Sequence, residues 1–243
     1  MIDIDRLRNY LDDATEAEPW LRSLYVADPN AAHANLTRIA TQGVTLDLLA
    51  QIGEQLAAAA PALADPDMAL NNLERFIAAS RNPMATAALF ERDPEALPNL
   101  LQIFSTSQYL SDLLVVDREA YDLLRMTEGL PVSRQALVDE LVGDVQALKN
   151  HADVAAALRR FKRREMMRIA YGDIVRAQPV STVARQLSYL ADAIVEGALD
   201  FARRHAEELY GRPLRRDGSR CRFVVLALGK LGGLELNYSS DID

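Results

Sequence analysis

Between residues 28 and 94 the chain places a capping side chain directly before a proline four times, at Asp28-Pro29, Asp65-Pro66, Asn82-Pro83 and Asp93-Pro94. An Asp or Asn oxygen accepts a hydrogen bond from an exposed N–H of a first helical turn. Proline at the next position gives up only a donor that the helix could not have used. A chain so punctuated folds as a succession of short helices.

The apolar spacing between the junctions agrees. Leu46, Leu49, Ile52 and Leu56 recur by threes and fours, as do Leu70, Leu73, Phe76 and Ile77, which is the period of one helical face. Leu100, Ile103, Phe104, Leu110, Leu113 and Leu114 continue the pattern. Leu89–Leu101 and Leu113–Arg125 share a faint Leu-x-x-x-Asp-x-Glu-Ala echo. Two weak copies express recurring helix-start chemistry, not a solenoid, which needs a sustained period.

Gly129-Leu130-Pro131 breaks the chain and sets the expected boundary between a helical region, 1–130, and a second domain, 131–243. Beyond it three longer helices are predicted: Ser133 to about Lys149, Asp153 to Arg176, and Ser181 to a stop at Gly211. The last carries an apolar stripe from Val183 through Leu187, Leu190, Ile194, Ala198, Phe201 and His205 to Leu209. Then the texture changes. Arg222 to Gly229 reads as a strand, and its continuous apolar run suits a central position covered on both faces.

Composition narrows the function classes. With 49% hydrophobic and 26% charged residues and a net charge of −8, the chain reads as ordered and helix-rich and not as a general nucleic-acid coat. Its apolar runs fall short of the roughly 20 residues a bilayer span needs. Met1-Ile-Asp-Ile-Asp-Arg6 lacks the basic and apolar regions of a secretory signal. Cys221 is the single cysteine, which points to a reducing cytoplasm.

The chemistry concentrates at the end of the chain. A strand that enters a helix through a Gly-rich turn, here Gly229-Lys-Leu-Gly-Gly233, can aim backbone N–H groups at a phosphate, because no Cβ intervenes. Lys230 adds a mobile cation. Leu234 to Ser240 would span about 10 Å as a helix and bring Asp241-Ile-Asp243 back as a returning strand. Period-two alternation would then set both carboxylates on one face and Ile242 in the core. Such a pair suits Mg²⁺ and nucleotidyl transfer.

The order strand, Gly-Gly, seven residues, Asp-x-Asp resembles polymerase-β-like nucleotidyltransferases. The full string ALGKLGGLELNYSSDID resembles the first active-site signature of the bifunctional glutamine synthetase adenylyltransferase/adenylyl-removing enzymes. The basic stretch Leu158–Ala170 looks like the arginine-rich helix of that family, and Asn72–Phe76 and Ser107–Leu114 look like parts of its helical N-terminal region. The resemblance implies a mainly α chain: a helical N-terminal region, then the start of an α+β nucleotidyltransferase domain whose sheet is incomplete. Asp241 and Asp243 match the family's catalytic, metal-binding pair. Gly232 and Gly233 match its phosphate-contacting turn, with Lys230 and Ser240 as further nucleotide-contacting candidates.

The wording Asn237-Tyr-Ser-Ser240 is similar to the adenylyl-removing half, which implies phosphorolysis of tyrosyl-AMP on glutamine synthetase to give ADP. The opposite transfer, from ATP, would belong to a second half. The implied partners are glutamine synthetase, a PII-type signalling protein, and phosphate with ADP or ATP. The family also needs a later carboxylate, so residues 1–243 alone are expected to be inactive and the reading frame to continue. A non-catalytic helical module docking on glutamine synthetase is the other reading.

Blander roles are expected elsewhere. The run Arg159, Arg160, Lys162, Arg163 and Arg164 reads as a solvated helix face, and the arginines at 212, 215, 216, 220 and 222 as a basic loop that aids solubility, with attraction of a phosphorylated ligand as the other reading. His33, His151 and His205 show no metal spacing. Trp20, Tyr25, Met166 and Met167 are expected in the core.

Overall fold

The computed structural model describes residues 3–117 and 119–242, with Glu119 described by its backbone alone. They form two compact units, residues 1–126 and 127–243.

The first unit is built from short helices: α1 (Ile4–Asp12), α2 (Ala14–Ser23), α3 (Pro29–Thr41), α4 (Leu46–Ala59), α5 (Pro66–Ala78), α6 (Pro83–Arg92), α7 (Ala96–Thr106) and α8 (Gln108–Val116), followed by α9 (Glu119–Thr127). Three of the four proline junctions cap as expected. Asp28 Oδ1 accepts from the Ala31 N–H at 3.0 Å, Asp65 Oδ1 from Met68 at 2.9 Å and Asn82 Oδ1 from Ala85 at 3.0 Å. The fourth differs. Asp93 closes α6, and α7 begins only at Ala96. Its carboxylate is divided between the Glu95 N–H and the Arg125 guanidinium, so it anchors α9 instead of starting a helix.

Helix α5 is the hub of this unit. Leu70, Leu73 and Ile77 are fully buried, and Phe76 meets Phe104 and Tyr121 edge-on, with ring centroids 5.7 and 6.0 Å apart. Asn72, also fully buried, donates to the Phe104 carbonyl and to Gln108 Oε1, each at 3.2 Å. It thereby ties the end of α7 to the start of α8. Arg75 completes the corner, reaching Asn72 Oδ1 at 2.9 Å and Asp112 Oδ1 at 2.7 Å. Trp20 stacks on Tyr10 at 5.5 Å. Tyr25 is not in the core as expected. It stands 64% exposed with φ +62°, because the chain reverses there between α2 and α3.

The second unit is a bundle of α10 (Arg134–Gln146), α11 (His151–Ile174) and α12 (Val180–Tyr210). Ser133 and Asn150 cap the first two, accepting from Ala136 at 3.2 Å and Asp153 at 2.8 Å. Leu137, Leu141, Val145, Phe161, Ile169, Leu187 and Leu190 share one core. The stripe on α12 is buried at Val183, Leu187, Leu190 and Phe201 but has run out at Leu209, 61% exposed. Met167 is buried with it.

A buried polar hub joins the 129–132 segment to this bundle. Arg168 donates to Glu165 at 2.7 Å, to the Leu130 carbonyl at 2.6 Å and to Gln186 Oε1 at 2.9 Å. Gln186 in turn pairs with both backbone groups of Val132 at 2.9 Å. Gly129 (φ +65°) lies so close to α11 that a Cβ there would sit 2.4 Å from the Gly172 nitrogen. No other residue fits.

Beyond Gly211 (φ +80°) the long helices end. Arg222–Gly229 is not a strand. Among the described residues the one β-bridge joins Leu214 to Arg220, and the run beyond it takes part in no ladder. Phe223, Val224, Leu226 and Leu228 are 71, 69, 80 and 84% exposed, not covered on two faces. A strand exists only through its ladder, and among the described residues no other segment pairs with this one. The arginines before it are partly tethered: Glu207 at the end of α12 holds Arg220 at 2.9 Å and Arg212 at 3.6 Å. Arg159, Arg160, Lys162 and Arg163 are exposed on α11. Arg164 instead pairs with Glu140 at 2.7 Å and Glu165 at 3.0 Å.

Candidate active site

The apolar run ends at Leu228, where Gly229 (φ +58°) turns the chain into a four-residue helix, α13 (Gly229–Gly232). The turn is closed by its own backbone. Gly232 N–H donates to the Leu228 carbonyl at 3.3 Å, Gly233 to Gly229 at 3.0 Å and Glu235 to Lys230 at 2.8 Å. Gly232 is required for packing, since a Cβ there would lie 2.5 Å from the Ala227 carbonyl oxygen. At Gly233 the nearest atom would be the Glu235 carboxylate at 3.4 Å, an ordinary contact.

The seven residues after Gly233 do not form the expected helix. Leu234 (φ +58°) reverses the chain, and Leu236, only 6% exposed, plugs into the bundle core. Its N–H donates to Ser188 Oγ on α12 at 3.3 Å. Asn237 then organises a tight turn. Its Oδ1 accepts from the Ser239 N–H at 3.1 Å and from Ser240 Oγ at 2.9 Å, while its own N–H donates back to Ser240 Oγ at 3.0 Å. Tyr238 reaches α11, where its hydroxyl donates to Asp173 Oδ2 at 3.0 Å. Burial of this phenol, reinforced by the Asp173 charge, raises its pKa well above that of a free tyrosine. The short Asn-Tyr-Ser-Ser segment is therefore fixed by side chains, not by a regular element.

These segments and the faces of α10 and α12 enclose a cavity of about 790 Å³. Lys230, Ser240 and Asp241 line it together, with Leu226, Leu228 and Ile242 supplying apolar surface. Gly232 and Gly233 form the turn beside the cavity and are not among its lining residues. Asp243 lies outside the described residues. Ile242, expected in the core, is 48% exposed and faces the same cavity as Asp241, so residues 241 and 242 do not alternate as they would in a paired strand.

The opposite wall comes from residues that no motif marks. Arg134 at the start of α10 donates to Asp192 on α12 at 2.5 Å and approaches Glu196 at 3.6 Å. The Asp192 hydrogen bond raises the Arg134 pKa further, after which the charge of Glu196 adds to it. Arg134 is thus a locked cation between two acids. Lys230 and Asp241 differ: among the described residues neither side chain has an ion-pair partner. Only the positions of Asp192 and Glu196, four apart on the flank of an apolar stripe, could have pointed to this wall.

No group of three or more His, Cys, Asp or Glu side chains among the described residues is arranged to hold a metal. The donor at hand is the Asp241 carboxylate, beside the hydroxyl of Ser240. Hard oxygen donors fit Mg²⁺, which commonly takes one or two carboxylates and completes its shell with water and ligand phosphates.

Residues 97–243, from within α7 through the whole cavity, match the family described as glutamate-ammonia ligase adenylyltransferase. The chain belongs to that family. Among its relatives, a bifunctional glutamine synthetase adenylyltransferase/adenylyl-removing enzyme of Pseudomonas aeruginosa is 34% identical over 174 residues, 70% of this chain and 18% of the relative. The same-named protein of Thioalkalivibrio sulfidiphilus is 29% identical over 238 residues, 95% of this chain and 24% of the relative. The Hahella chejuensis counterpart is 32% identical over 165 residues, 65% of this chain and 17% of its own length. The chain spans about a fifth of the length of these relatives. No described helix is long and apolar enough to cross a membrane.

Proposed function

We propose that this chain contributes the nucleotide-side wall of a Mg²⁺-dependent site that removes AMP from adenylylated glutamine synthetase by phosphorolysis. The observation that carries the reading is the convergence of Lys230, Ser240 and Asp241 on one cavity inside the family match. A phosphate oxygen attacks the phosphorus of tyrosyl-AMP, a new P–O–P link forms, and the bond to the tyrosine oxygen breaks. The products are ADP and a tyrosine that regains its proton from the incoming phosphate or water. Lys230, without an ion-pair partner among the described residues, offsets the phosphate charge as it enters. Asp241, with Asp243, would hold Mg²⁺, which supplies charge neutralisation to the phosphoryl oxygens. Gly232 and Gly233 would keep the turn low enough for the phosphate to approach. The reading takes glutamine synthetase and a PII-type signalling protein as partners, with a second, adenylylating half using ATP. The lone exposed Cys221 agrees with a cytoplasmic setting.

The test is a chimaera in which this chain replaces the matching segment of the Thioalkalivibrio relative. With adenylylated glutamine synthetase, phosphate and Mg²⁺ it should release ADP, and Asp241→Asn should lower that rate by about 100-fold or more, in keeping with loss of charge stabilisation at the reacting phosphate. An Asp241→Asn chimaera as active as its parent would sink the proposal. The exposed run Phe223–Leu228 favours a second reading, a docking module. Capture of glutamine synthetase by the chain, with no ADP from either chimaera, would support that reading instead.

A further inference from the structure

Asp173 occupies an unfavourable place. It is the penultimate residue of α11 (His151–Ile174), where the partial negative charge of the helix end repels a carboxylate. Its one hydrogen bond among the described residues comes from Tyr238, which is 65 positions away in sequence. Tyr238 sits three residues before Asp241, in the turn that Asn237 and Ser240 close by mutual hydrogen bonds. On the other side of that turn, Leu236 is held by Ser188, itself fully buried and bonded back to the Ala184 carbonyl at 2.8 Å. The turn bearing Asp241 is therefore pinned at two points, on α12 through Leu236 and on α11 through Tyr238. Without the second pin only the buried Leu236 would restrain it. The residues beyond would be free to swing about that point, since Tyr238 is itself 44% exposed and little apolar burial would hold it in place.

We propose that Tyr238 and Asp173 are positioning residues, whose hydrogen bond fixes the Asp241 turn against the helical bundle so that the carboxylate faces the cavity. This deepens the reading given above and rests on it for the identity of the ligand, but the pinning itself stands apart from catalysis. Neither residue lines the cavity, so neither touches a ligand there. Each acts through the turn.

Two measurements on this chain test it. The first is amide hydrogen exchange of wild type, Tyr238→Phe and Asp173→Asn. Each variant should speed exchange of residues 237–241 by about tenfold, while Leu236 and the α11 and α12 core amides keep their protection and the melting temperature stays within a few degrees. The second is Mn²⁺ affinity, read by electron paramagnetic resonance with Mn²⁺ alone as the probe. Tyr238→Phe and Asp173→Asn should each weaken it about five- to tenfold, and the double variant should be no weaker than either single one, because both delete the same contact. Unchanged exchange over 237–241 in Tyr238→Phe overturns the proposal, as does Mn²⁺ binding by that variant within twofold of wild type. Failure of the wild type to bind Mn²⁺ counts against the metal reading of Asp241 instead, and the exchange measurement then decides the positioning role alone.

Discussion

Helix α5 and the run Phe223–Leu228 both carry large apolar side chains, yet those of the one are buried in its unit and those of the other stand in solvent. Leu70, Leu73 and Ile77 have no accessible surface, whereas Leu226 and Leu228 keep 80 and 84% of theirs. The difference lies in how each closes its backbone. A helix satisfies its own N–H and C=O groups and needs neighbours only along one stripe, which α3, α7 and α8 provide for α5. A strand depends on others for its hydrogen bonds as well as for its cover. Apolar character states what a segment would gain by burial; the partner decides whether that gain is realised.

Truncation should separate the two regions most sharply. Leu70→Ala opens a cavity in a closed core and should cost about 3–4 kcal/mol. The corresponding Leu228→Ala removes surface already in water and should stay within about 0.5 kcal/mol. Urea unfolding followed by circular dichroism gives both values, and comparable losses would mean that Phe223–Leu228 is packed in solution. In the second unit, Arg168→Met should cost about 3 kcal/mol, because it leaves the Leu130 carbonyl and one Glu165 oxygen buried without their donor. Arg164 still holds Glu165 at 3.0 Å, which keeps the loss at the lower end. Adding Glu165→Leu should restore a large part of it.

Much of this architecture could be read residue by residue. Asp28, Asp65 and Asn82 announce their helices because capping chemistry is local, and the stripe on α12 follows from periodicity alone. A distant partner is the recurring cause where local reading fails or falls silent. Asp93 has the same local signature as the other three junctions, but Arg125 competes for its carboxylate from 32 residues away. Arg134 and Asp192 are separated by 58 residues, Tyr238 and Asp173 by 65, and no spacing rule connects them. Of the candidate site, Lys230, Ser240 and Asp241 were legible because one short string holds them all. The helical wall that faces them was not, and neither was the replacement of a seven-residue helix by a side-chain-locked turn. Asn237 and Ser240 can each favour a turn through local hydrogen bonds, and here that local chemistry prevails over a regular helix.

The Asp93–Arg125 contact supplies a smaller, pH-dependent test in the first unit. The Arg125 hydrogen bond is the chief reason that the Asp93 carboxyl titrates below its usual range. Its stabilisation is therefore complete above the pKa of an unfolded aspartate, about 4, and is lost as pH falls through the lower folded value. Both side chains are partly in solvent, 26 and 33% exposed, so the contribution should be about 1 kcal/mol or less. Asp93→Asn should melt a few degrees below wild type from pH 7 to pH 5, and the gap should close below pH 4. A gap that persists to pH 3 would assign the effect to the cap on Glu95 instead of the charge.

The smallest change in fold stability is expected from Leu226→Lys, and it returns to the exposed run. This side chain is 80% exposed at the edge of the cavity, so the melting temperature should move by no more than about 1–2 °C, the equivalent of a few tenths of a kcal/mol. Association is another matter. A β-prone apolar segment outside any ladder offers an edge beside its exposed side chains, and a lysine there opposes edge-to-edge pairing. Light scattering at increasing concentration should show wild type self-associating well before the variant does. Equal association with equal stability would mean that the run is shielded by contacts of its own, and its contrast with α5 would then reflect depth of burial and not the absence of a strand partner.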